Sequence, residues 1–352
     1  MSVAVTPADP HLQYMGRIDI TKPECPVFYY AGSYVAMAFT GDFLAVTLQN
    51  HRAYHENWIG YFLDGVEGRL ALAGDDTPQT LEIPVPAGRK QHELILFKRQ
   101  DGCHYFRLLG FLLADGACTK LLPPLPARRM ECYGDSISAG IRCELYDAVG
   151  QSDPPDCCDG SADNAWYAFS MQTARILGAQ IHNVAQGGIA LLDHTGYFCD
   201  GEIGMESVYD KLCYLPYADT GMTKWNFSRY TPQVVLFAVG QNDHRIGATE
   251  DHRRTGFARD IWKSGYKEIL RDLLGRYPKA TFVLTLTLIQ HDSDWEAMLD
   301  EVCEELAQPR VLRFHFRRGG QATPGHPRVQ EQSEMASELA QFLTALGPSL
   351  WG

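Results

Sequence analysis

Arg129-Met-Glu-Cys-Tyr-Gly-Asp-Ser-Ile-Ser-Ala-Gly140 is the stretch on which the reading of this chain turns. An apolar-leaning run, Met130–Tyr133, stops at Gly134-Asp135-Ser136 and continues as a helix start. A strand that ends at a glycine can turn sharply. A serine placed at that turn faces the backbone N–H groups of a helix N-terminus, where negative charge is stabilised. Ser136 is therefore a candidate nucleophile with an oxyanion site beside it. Gly-Asp-Ser is also ordinary turn chemistry, so the assignment needs support from the rest of the chain.

Downstream of this stretch, strand and helix signals alternate. Strand candidates are Met130–Tyr133, Gln180–Val184, Gln233–Val239, Ala280–Leu286 and Arg310–Phe314. Helical periodicity runs through Trp166, Phe169, Thr173, Ile176 and Leu177, then through Ile261, Tyr266, Ile269, Leu270, Leu273 and Leu274, and then through Trp295, Met298, Leu299, Val302 and Leu306. These stripes read as core packing. A last helix starts after His326, with Pro327 where a missing N–H costs nothing. Buried strands joined by helices predict a three-layer α/β domain with a parallel sheet, and such sheets bind ligands beyond the carboxyl ends of their strands. Ser136, the Gly187-Gly188 pair, Asn242 and His326 all fall just past a strand end or at a helix start.

Upstream, residues 13 to about 116 read as all-β: short runs such as Val35–Phe39, Phe43–Leu48, Ile59–Leu63, Leu81–Pro84, Glu93–Lys98 and Tyr105–Phe111 are separated by Gly, Asp and Pro clusters. That punctuation predicts a sandwich or jelly roll. Leu121-Leu-Pro-Pro-Leu-Pro126 can neither continue a helix nor supply central-strand donors. The expected organisation is thus a β-sandwich over 1–120, a Pro-rich linker over 121–127 and a catalytic domain over 128–352.

The net charge of −12 and the lack of any Lys/Arg run exclude a nucleic-acid surface. No stretch approaches the ~20 consecutive apolar residues of a membrane span, and Met1–Pro7 lacks the basic start and apolar core of a signal peptide. The ten cysteines are scattered, with no Cys-x-x-Cys pair. Free thiols, no structural metal and a cytoplasmic setting are expected. Cys143, Cys157 and Cys158 cluster with Asp147, Asp153, Asp156 and Asp159 in one polar insertion, which reads as a solvated loop. The sequence leaves oligomeric state open.

Four motifs in order now carry a resemblance: Gly134-Asp135-Ser136-Ile137, Asn183-Val-Ala-Gln-Gly-Gly188, Gly240-Gln241-Asn242-Asp243 and Gly325-His326-Pro327. Together they resemble the signature blocks of the SGNH or GDSL hydrolases. With the β-rich domain ahead of them, and its Met15-Gly-Arg-Ile-Asp19, Ala31-Gly-Ser33, Phe97-Lys-Arg99 and Leu109-Gly-Phe111 runs, the chain is most similar to carbohydrate esterase family 2. The resemblance implies Ser136 as nucleophile and His326 as base. It also implies an oxyanion hole from the Ser136 and Gly188 amides and the Asn242 side chain, with no metal or organic cofactor. Gly188 is preferred over Gly187 on its spacing from Asn183.

The implied activity is removal of O-acetyl groups from acetylated xylo-, manno- or gluco-oligosaccharides through an acyl-enzyme. The alternatives are a lipase or thioesterase of the same superfamily, or a carbohydrate-binding protein with an inactive hydrolase domain. The superfamily usually places an Asp three residues before the His, and Thr323 stands there instead. The expectation is a Ser136–His326 dyad whose imidazole is held by a main-chain carbonyl, with Asp193 and Asp292 as rival acids. His244 and His291 read as loop histidines, and Trp58, Trp166, Trp225 and Tyr197 are candidate sugar-stacking rings.

Overall fold

The computed structural model describes residues 2–157, 159–243, 256–291, 293–321 and 323–352. The N-terminal part is a β-sandwich of two antiparallel sheets. One runs in the order Ile18–Asp19, Val27–Phe28, His104–Leu113, Leu44–Arg52, Pro78–Glu82, with Val3–Val5 also paired to His104–Leu113. The other runs Thr119–Lys120, Tyr34–Thr40, Gln91–Lys98, Asn57–Leu63, Val66–Leu72, with Gln13–Met15 beside Tyr34–Thr40. Inward residues of both sheets, among them Phe28, Phe39, Leu48, Ile59, Leu96 and Phe106, form a single core. The sequence reading missed Val66–Leu72, because its alternation is carried by Glu, Gly and Arg and most of its residues face solvent. Residues 121–127 form no helix or strand.

A five-stranded parallel sheet follows, in the order Ala179–Ala185, Arg128–Gly134, Val234–Ala238, Thr281–Leu284, Val311–Arg313. Its strands are buried on both faces, which is why they read as near-continuous apolar runs. Met130, Cys132, Val234 and Leu236 point to one side, against helices Phe169–Ile176 and Val329–Ala345. Tyr133, Val235, Phe237 and Phe282 point to the other, against Gly256–Arg276 and Ser293–Leu306. The domain is thus three-layered. Pro327 lies outside the last helix, whose N-cap is Arg328; Glu331 closes the cap by accepting from the Arg328 N–H.

The two parts are tied by a buried ion pair. Arg17 of the sandwich reaches Glu131 on the central strand Arg128–Gly134, with neither side chain exposed. Its guanidinium also donates to the Tyr209 and Lys211 carbonyls and the Tyr133 hydroxyl. The second oxygen of Glu131 accepts from Tyr133 and Tyr277. A buried pair satisfied on every side avoids the penalty of an unmatched charge.

Candidate active site

The strand Arg128–Gly134 lies where the strand order reverses, paired on one side to the next strand in sequence and on the other to the third. Its terminal glycine packs so closely that a Cβ there would lie 2.1 Å from Ser138 Oγ. Asp135 caps the helix Ser136–Ala139 by accepting from the Ile137 N–H at 3.0 Å. Gln241 donates to the other carboxylate oxygen at 2.8 Å, joining the Ser136 turn to the segment that carries Asn242. Burial pushes the Asp135 carboxyl up to about 6, against these two hydrogen bonds.

Ser136, Gly188, Asn242 and His326, from four separate segments, line one cavity of about 600 Å³. The Gly187 N–H is taken by Asp101 at 2.8 Å, whereas among the described residues the Ser136 and Gly188 N–H groups donate to nothing. Gly188 sits at φ 70°, where an L side chain is strained and a Cβ would meet Tyr197 Cβ at 2.9 Å. Asn242 is anchored through its amide to the Ile189 carbonyl at 3.0 Å. Its neighbour Asp243 accepts from the Leu191 and Leu192 N–H groups and from Thr195, fastening the glycine segment to the asparagine segment. No hydrogen bond joins Ser136 Oγ to His326 in this state; such bonds commonly tighten only when substrate is bound.

The support of the imidazole departs from expectation. His326 Nδ1 pairs with Asp153 Oδ2 at 2.6 Å, and the His326 backbone N–H reaches Oδ1 of the same carboxylate at 3.2 Å. A side chain from the Cys/Asp-rich insertion, and not a main-chain carbonyl, holds the ring. Partial burial works against ionisation of Asp153. The hydrogen bond and charge of His326, with the Arg142 and Arg328 guanidiniums at 2.7 Å each, outweigh it and hold the carboxyl well below the usual range.

Of the other residues singled out in the sequence, Thr323 is turned away to Glu331 and to the Gly150 N–H. Asp193 is committed to the Gly204 N–H and Ser207. His291 uses one ring nitrogen on the Ile289 carbonyl and the other on Glu296. Asp292 and His244 lie outside the described residues. Asp153 was missed because 173 positions separate it from His326, so no local spacing points to it. The one available signal was the density of carboxylates in the insertion.

Two parts of the chain wall the cavity. Tyr54, His55 and Asp101 come from sandwich loops, and Arg142, Cys157 and Asp163 from the insertion. Asp163 is buried, and burial, reinforced by the charge of Asp101, pushes its carboxyl up to about 7. Tyr197 lines the cavity and is 59% exposed. The other candidate sugar platforms do not line it: Trp166 is packed among Tyr34, Phe62 and Phe97, Trp225 is buried, and Trp58 lies under Arg69. A larger groove of about 760 Å³ on the second sandwich sheet holds none of the four motif residues. Cys25, Cys103, Cys118, Cys132, Cys143, Cys199, Cys213 and Cys303 are free thiols.

Residues 14–124 match the family model of the carbohydrate esterase 2 N-terminal domain. The chain resembles the family 2 carbohydrate esterases. An acetylxylan esterase/glucomannan deacetylase of Cellvibrio japonicus is 26% identical over 96% of this chain and 90% of its own length. The cellulase/esterase CelE of Acetivibrio thermocellus is 28% identical over 77% of this chain, which spans 30% of that protein. The structure of a family two carbohydrate esterase from Clostridium thermocellum in complex with cellohexaose superposes with a TM-score of 0.77 at 25% identity, covering 95% of this chain and 98% of the other. The family 2 likeness thus spans both the sandwich and the parallel-sheet domain, and Asp153 lies within the part that carries the four motifs.

Proposed function

We propose that this chain is a serine esterase that removes O-acetyl groups from acetylated oligosaccharides through an acyl-enzyme. The observation that carries the reading is the convergence of Ser136, His326 and the Gly188 and Asn242 donors on one cavity, with His326 oriented by Asp153. Ser136 attacks the acetyl carbonyl while His326 takes its proton through Nε2, the nitrogen not bonded to Asp153. The tetrahedral oxyanion is received by the Ser136 and Gly188 amides and the Asn242 side chain, each such donor being worth about 3 kcal/mol of transition-state stabilisation. His326 then returns the proton to the departing sugar hydroxyl, and water repeats the sequence to release acetate.

A polar cavity wall of Asp101, Arg142 and Asp163 suits a hydroxyl-rich leaving group, and the rings of Tyr54 and Tyr197 offer faces for a pyranose. The relative named as an acetylxylan esterase/glucomannan deacetylase, and the neighbour holding cellohexaose, support a β-linked oligosaccharide as the acetyl bearer. The test is acetate release from 4-nitrophenyl acetate and from acetylated xylo- and manno-oligosaccharides followed by NMR. Ser136→Ala should abolish it with the fold intact. Rates should fall steeply from acetate to octanoate, and the reverse order would make the chain a lipase or thioesterase.

A further inference from the structure

The catalytic segments are not held by the parallel-sheet domain alone. The sandwich segment between strands Gln91–Lys98 and His104–Leu113 dips into the catalytic cavity and presents Asp101, a residue only 4% exposed. Its Oδ2 accepts from the Gly187 N–H and from Gln186 Nε2, each at 2.8 Å, and its Oδ1 accepts from the Cys103 N–H at 3.1 Å. The contact is returned: Gln186 Oε1 accepts from the Gly102 N–H at 2.9 Å and from the Tyr214 hydroxyl at 2.8 Å. The segment is stiffened from beneath by the buried Lys98 ammonium, which donates to the Gln100 and Asp101 carbonyls. No Lys, Arg or His lies within 4 Å of the Asp101 carboxylate among the described residues, so backbone and amide N–H groups are what it holds.

The peptide that Asp101 grips immediately precedes the one that presents the Gly188 N–H. Gly187 is shaped to this contact, since a Cβ there would lie 2.5 Å from Asp101 Oδ2 and 2.2 Å from Ile141. With the Gly187 N–H fixed, and the Gly188 carbonyl receiving the Tyr197 and Phe198 N–H groups, the intervening peptide is pinned at both ends. Resting on the esterase reading above, we infer that Asp101 is a positioning residue supplied by the sandwich domain, which sets the Gly188 amide toward the oxyanion before substrate arrives. A preset donor costs no reorganisation at the moment of reaction. An unpinned turn would have to be ordered in each turnover.

The inference predicts a specific kinetic signature. Removing one oxyanion donor outright costs about 10²–10³ in kcat, so loosening it should cost less. Asp101→Ala should lower kcat for 4-nitrophenyl acetate by about 10- to 100-fold, with KM within about twofold. It should weaken a boronic acid that forms a tetrahedral adduct on Ser136 by a similar factor. Asp101→Asn, which keeps an acceptor for the Gly187 N–H, should recover most of the loss.

Melting temperatures of both variants are measured alongside. An Asp101→Ala enzyme within twofold of wild type would overturn the inference. So would a loss shared equally by Asp101→Asn, or one that only tracks a falling melting temperature, since the residue would then be interface glue. Wild-type protein that releases no acetate from any ester would instead sink the esterase reading itself, so the two failures are distinguishable.

Discussion

At the scale of single residues, the proposed proton relay rests on Asp153. In that mechanism its carboxylate fixes the tautomer of His326 and stabilises the imidazolium as it forms. His326 and, after it, two arginines hold that carboxylate well below the usual range, and the arginines draw part of its charge away from the imidazole. Neutralising the corresponding carboxylate of the serine-protease template costs about 10⁴-fold, and Asp153→Asn should therefore lower kcat by about 10³- to 10⁴-fold. A steady-state rate within tenfold of wild type would show that the ring is adequately held without the acid. Thr323→Ala, by contrast, acts on the cap of the last helix through Glu331 and should change stability more than rate.

At the scale of elements, the insertion between the helix Ser136–Ala139 and the helix Phe169–Ile176 brings Asp153 to His326. Its root is closed by backbone bonds from Glu144 to Ala162 and from Asn164 to Gly140, and by Asp163 accepting from the Arg142 N–H at 2.8 Å. With the Asp163 carboxyl raised to about 7 by burial against an ordinary value of about 3.9, the folded chain keeps a proton that the unfolded chain has released. Stability therefore falls as pH rises from about 4 through 7. Asp163→Asn should flatten that slope, so its melting temperature should change less than wild type between pH 5 and 7.5. An unchanged slope would mean that Asp163 is ionised throughout.

The elements were largely legible in advance. The parallel strands and their helices announce themselves by apolar runs and 3.6-residue stripes, and the four motif residues by their places at strand ends. What stayed hidden were contacts between remote positions: Asp153 on His326, Asp101 on Gly187, and Tyr54 in the cavity wall. Each depends on how a loop folds back, and neither period nor spacing encodes that. Val66–Leu72 was hidden for a different reason: a hairpin partner that needs few apolar residues because most of it is solvated.

At the scale of the whole molecule, the sandwich and the parallel sheet are coupled through fully buried Arg17 and Glu131. Arg17→Met would leave the Glu131 charge enclosed without a cation, a change that typically costs roughly 3–5 kcal/mol. Calorimetry should show the variant's unfolding shifted well below that of wild type, and an unchanged transition would mean that Glu131 takes up a proton at little cost. Tyr54 and His55, in the turn between Leu44–Arg52 and Asn57–Leu63, line the same cavity as Ser136. The cavity is thus built by both halves: most of its lining comes from the parallel-sheet part, and Tyr54, His55 and Asp101 come from the sandwich. Connecting loops tolerate replacement far better than a five-stranded sheet does, so the sheet-to-sheet connection that carries Tyr54 and His55 is where this wall can change while Asp101 keeps its hold on Gly187.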